Sequence, residues 1–145
     1  MNLFNPSRDE VREFFFNAWL KYKQALTLSD LEKLGLSVML LHPEYHGVLD
    51  APEKFMQQEF FPELGVTNPF LHMSLHLSVL EQISINQPTG IAELYNTLVK
   101  KHQNEQDAIQ DMIECLGEMI WQAQRNQSPP DSALYLSLLQ NKTQL

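Results

Sequence analysis

Hydrophobic residues recur at helical spacing along most of the chain, in segments that open on residues able to cap a helix. The first starts at Ser7, with Glu10 three positions on as the reciprocal partner of a capping box, and Val11, Phe15, Ala18 or Trp19, and Tyr22 follow on one face. A second box pairs Ser29 with Glu32 and opens a stripe of Leu31, Leu34, Val38 and Leu41. Pro43 should end that helix near His42, because a residue before proline is pushed out of the helical region. From His42 to Asn68 the periodicity is broken by Pro43, Gly47, Pro52, Pro62 and Gly65, although Asp50 and Glu53 can cap a short helix through Phe60.

Asn68 and Pro69 then read as cap and first residue of the most apolar helix, Phe70 to about Ile85. After Pro88-Thr89-Gly90 comes a stripe of Ile91, Leu94, Tyr95, Leu98 and His102. Asn104 caps a long helix reaching about Arg125, with Ile109, Met112, Ile113, Leu116, Ile120 and Ala123 on one face. Pro129-Pro130 precedes a last short helix from Ala133 to Leu139. No segment alternates apolar and polar long enough to make a strand. These segments predict an all-α fold: an antiparallel helical bundle of five to six helices, with an irregular segment between the second and third main helices. At 145 residues, one domain spanning 1–145 is the expectation.

Charge narrows the partners. Ten basic residues against eighteen acidic give a net charge of −8, which on average repels a phosphate backbone, so no nucleic acid is expected. No apolar run approaches the roughly 18 residues that span a bilayer, so no membrane is expected. Cys115 stands alone and can form no internal disulfide, and the stretch from Met1 to Pro6 has neither the basic nor the apolar region of a secretory signal. The expected location is the cytoplasm.

Histidine carries the candidate chemistry. Four of five histidines fall as pairs at i and i+4, His42/His46 and His72/His76, a spacing that on a helix lets two imidazoles hold one borderline metal ion. On a helical wheel His72 and His76 lie beside Val79 and Ile83, with Ser74, Ser78 and Glu81 opposite, so both point to the apolar face. There a neutral imidazole needs a partner: a metal, or a hydrogen bond from a facing helix. Pro43 either opens a helical turn or forms part of a bend; in a turn, Glu44 stands near the N-terminus, available as ligand or general base.

Asp107, Asp111, Glu114 and Glu118 fall opposite the apolar stripe of the long helix and read as a solvated face; the Glu-x-x-His pairs of a di-iron bundle are absent. Trp121 and Arg125 are spaced to stack as a cation–π pair, and Cys115, at the stripe's edge, reads as an inert thiol.

The strings HPEYH at 42–46, NPFLHMSLHL at 68–77 and GEMIWQAQR at 117–125, followed by PPD at 129–131, together resemble a bacterial family known as domain of unknown function 1841. The resemblance implies a small helical protein and carries no activity with it. It also implies a further histidine pair on the long helix, where this chain has Gln106 and Gln110, poor transition-metal ligands that would weaken or remove such a site.

Two functions follow as expectations. The first is a divalent-metal site, zinc or nickel, with His72 and His76 as ligands, His46 or His42 completing the set and Glu44 beside them; an open coordination position would make it hydrolase-like. The second is a non-enzymatic interaction protein or homodimer with structural histidines, since Phe14, Phe15 and Phe16 cannot all be buried against one neighbour and the Phe55 to Phe61 segment adds apolar surface.

Overall fold

Ser7 caps the first helix as expected, its hydroxyl accepting the Glu10 amide at 3.2 Å, but no return bond from Glu10 completes the box among the described residues; α1 runs from Arg8 to Lys23. The computed structural model describes residues 7–60 and 68–144, and every regular element among them is helical. α2 (Asp30–Leu40) carries the complete capping box, Ser29 accepting from the Glu32 amide at 3.2 Å and Glu32 accepting from the Ser29 amide at 2.9 Å. A 3-10 turn, Pro43–Tyr45, leads into two one-turn helices, α3 (His46–Leu49) and α4 (Pro52–Phe55). α5 (Pro69–Ile85), α6 (Ile91–His102), α7 (Glu105–Arg125) and α8 (Ser132–Thr143) complete the chain. The all-α expectation is met, with six helices of eleven residues or more.

The irregular segment is more regular than its prolines suggest, because Pro43 and Pro52 each occupy the start of a turn, where the missing N–H costs nothing. Two details are corrected. α4 ends at Phe55, not Phe60, and neither Asp50 nor Glu53 caps it: Asp50 Oδ1 instead accepts the Trp19 indole N–H at 2.7 Å. The expected breaks at Pro62 and Gly65, the residue Phe61 and the Met1 to Pro6 stretch lie outside the described residues.

The chain divides into two compact units, Met1–Leu77 and Ser78–Leu145, and α5 runs through the division. In the first unit α1 packs on α2 and α3. Phe15 and Phe16 are buried and Phe14 is half-buried, its ring lying where a side chain at Gly35 would stand: a Cβ there would meet Phe14 Cε1 at 2.9 Å. The unexpected core residue is Arg12, 2 % exposed. Its Nη1 donates to the carbonyls of Phe55 (2.9 Å), Met56 (3.1 Å) and Gln58 (2.8 Å), and its guanidinium lies 4.8 Å from the Phe70 ring centre. These carbonyls lie at and just beyond the end of α4, where helical bonding leaves acceptors open, so one cation ties the 52–60 segment to α1.

In the second unit α6, α7 and α8 pack on one another. Asn104 caps α7 and Asp131 caps α8, accepting from the Asp107 amide at 3.0 Å and the Leu134 amide at 3.2 Å. Of the predicted α7 stripe, Ile109, Met112, Ile113, Leu116 and Ala123 are buried and Ile120 is half-buried. Tyr135 is buried, and its hydroxyl donates to Gln82 Oε1 at 2.7 Å.

Candidate metal site

Two local rules bring three imidazoles together inside the first unit. Pro43 forces His42 out of the helical conformation, to φ −125° and ψ 67°, so the chain turns away from α2 at that residue. α5, capped by Asn68 Oδ1, which accepts the amides of Phe70 (3.0 Å) and Leu71 (3.2 Å), carries His72 and His76 one turn apart. His42, His72 and His76 each offer a ring nitrogen, and these atoms all lie within 4.8 Å of one another. His42 Nε2 stands 3.3 Å from His76 Nδ1. His76 is buried, whereas His42 and His72 are half-buried. The three could hold a metal ion.

The other nitrogen of His42, Nδ1, lies 2.8 Å from Glu44 Oε1, and the Tyr45 ring stacks on His42 at 5.2 Å. His46 is placed differently. Because His42 is non-helical, the i, i+4 relation of this pair does not align the two rings: His46 Nε2 meets the Met39 carbonyl at 2.7 Å, and the ring lies 4.6 Å from Trp19. The structure therefore groups His42 with His72 and His76, while His46 holds the turn against the end of α2.

Electrostatics keeps the innermost imidazole neutral. Burial, reinforced by His42 and His72 nearby, pulls the His76 pKa down to about 4, and burial lowers His72 in the same direction. In the unfolded chain a histidine takes its proton near pH 6.5. Between that pH and about 4 the unfolded state binds more protons than the folded one, so acid favours unfolding there. The metal-free protein should accordingly keep its full stability above pH 6.5 and lose part of it as pH falls to about 4. Urea unfolding in chelator across this range should show a weaker pH dependence for His76→Gln than for wild type; equal dependences would rule out a neutral buried His76.

The remaining candidates separate by environment. Asp107, Glu114 and Glu118 are exposed, as a solvated face requires, but Asp111 is corrected to half-buried: its Oδ2 lies 2.6 Å from His102 Nε2, joining α6 to α7. The wheel missed this because exposure opposite the main stripe ends where a second helix packs. Ser78, assigned to the polar side of α5, is buried, as is Gln82, because this helix is covered on more than one side. Cys115 is buried and its thiol pKa pushed up to about 11 by that burial, which leaves it an inert thiol. Arg125 lies 5.3 Å from the Trp121 ring, the expected cation–π pair.

The family model described as Domain of unknown function (DUF1841) matches residues 7–141. The chain belongs to this family. No curated protein and no solved structure matches it. The DUF1841 match includes His42, Glu44, His72 and His76 as well as the strings that carry the resemblance in sequence. The DUF1841 description assigns no activity, so a functional reading rests on the site itself. Gln106 and Gln110 of α7 are both exposed, and Gln110 donates to Glu114 at 3.4 Å.

Proposed function

We propose that this DUF1841 protein binds one divalent transition metal through His42, His72 and His76. The observation that carries this reading is the 3.3 Å between His42 Nε2 and His76 Nδ1. Two nitrogens each about 2.05 Å from a zinc ion, at the tetrahedral angle of about 109°, stand about 3.3 Å apart. Imidazole nitrogens suit zinc and nickel alike. Neutral His76 keeps a lone pair available at physiological pH. Three protein nitrogens leave the fourth tetrahedral position to solvent, the arrangement of hydrolytic zinc sites and not of closed structural ones. Half-buried His42 and His72 are consistent with access from outside.

Elemental analysis of protein purified without an affinity tag or chelator tests the reading. Close to one zinc per chain in wild type, and little in His76→Ala, is the expected result. Equal metal content in the two proteins would overturn it.

One observation favours a second reading, self-association without metal. Exposed Leu20 and Leu26 and half-buried Phe14 line a groove on the first unit, apolar area that a second copy of the chain could cover. No helix among the described residues is long and apolar enough to cross a membrane. A dimer that persists in chelator and dissociates in Leu20→Asp would support this reading.

A further inference from the structure

The contact between Glu44 and His42 decides which nitrogen His42 presents. An ionised carboxylate can only accept, so the 2.8 Å contact between Glu44 Oε1 and His42 Nδ1 places a proton on Nδ1. A neutral imidazole protonated at Nδ1 carries its lone pair on Nε2, and Nε2 is the atom that stands 3.3 Å from His76 Nδ1. We infer that Glu44 is the positioning residue of the site, accepting from His42 Nδ1 and so fixing that ring in the tautomer whose Nε2 lone pair faces His76 and the ion. The inference rests on the metal reading given above.

Three features make the arrangement specific. Only Pro43 separates Glu44 from His42, and its fixed φ sets the angle between the two residues. The Glu44 side chain is more than half exposed, and a carboxyl in contact with solvent is ionised, and so purely an acceptor, at neutral pH. Tyr45, stacked on His42 from the next position, restricts rotation of the same ring. A ligand imidazole whose far N–H is held by a carboxylate is a recurrent design of metal centres: it orients the ring and raises its basicity. In this role Glu44 acts through His42, not as a ligand to the ion.

Nitrogen-15 NMR of the imidazoles, in chelator and at mildly alkaline pH, reads the tautomer directly, without metal. Wild-type His42 should be protonated at Nδ1, and Glu44→Ala should lose that preference. Zinc affinity, measured by competition with a chromophoric chelator, should weaken tenfold to a hundredfold in Glu44→Ala. Glu44→Gln, whose amide oxygen still accepts, should recover part of it. The Glu44 side chain is more than half exposed, so the metal-free melting temperature of each variant serves as the control for folding. Protonation of wild-type His42 at Nε2, or a Glu44→Ala protein that binds zinc as tightly as wild type, would overturn the inference. If wild type binds no zinc although His42 is protonated at Nδ1, the metal reading fails and takes the positioning role with it.

Discussion

Zinc at a thousandfold excess over its dissociation constant should stabilise the wild-type protein by about 4 kcal/mol, because an ion that binds only the folded state shifts the equilibrium by mass action. In a chain of this size that corresponds to a rise in melting temperature of roughly ten degrees. His76→Ala should start from a lower baseline, having lost a buried side chain, and should gain nothing from zinc. The decisive quantity is the increment, not the baseline. His46→Ala makes the informative contrast: it loses the contacts to the Met39 carbonyl and Trp19, and so some stability, yet keeps its response to zinc. Equal increments in wild type and His76→Ala would remove the three-histidine site from consideration.

Arg12→Ala should cost about 4 kcal/mol, the second large effect, because three carbonyls at and beyond the end of α4 lose one charged donor and the space between Phe60 and Phe70 empties. Arg12→Lys should recover only part of this, since an ammonium lacks the planar head that lies against the Phe70 ring. Arg12 Nε has no hydrogen-bond partner among the described residues, so the arrangement is held by Nη1 and by ring contact. Urea unfolding measures the loss. A change below about 1 kcal/mol, the range of exposed ion pairs, would show that water replaces the guanidinium without difficulty.

Much of the helical framework was legible because its signals are local. Ser29 with Glu32, Asn68 with Pro69, and Asn104 announce helix starts through bonds made within one turn, and each starts a helix where expected. The stripe from Ile109 to Leu116 was legible for the same reason: its period alone selects the buried face. Arg12, Asp50 and Asp111 were not, because what fixes them lies on another element: the carbonyls at the end of α4 and just past it, the Trp19 indole and the His102 imidazole. A charged side chain is assigned to solvent by default, and only a partner outside the helix can overturn that.

The histidines divide along the same line. His72 and His76 sit on one regular helix, where spacing translates directly into proximity. The same spacing misled for His42 and His46, since Pro43 interrupts the helix between them. What the sequence did contain was Glu44 beside His42, a carboxylate within reach of the imidazole; which nitrogen it would engage needed three-dimensional placement.

Each compact unit contains one tryptophan, and the two have opposite surroundings: Trp19 is 4 % exposed and Trp121 is 53 % exposed. Trp19 should therefore emit at short wavelength and resist iodide, while Trp121 emits at long wavelength and is quenched readily. Replacing either one by phenylalanine leaves a fluorophore that reports on a single unit. Denaturation followed through the two single-tryptophan proteins then measures how the units cooperate. Coincident midpoints would mean that they melt as one body, and separated midpoints would give each its own free energy of unfolding.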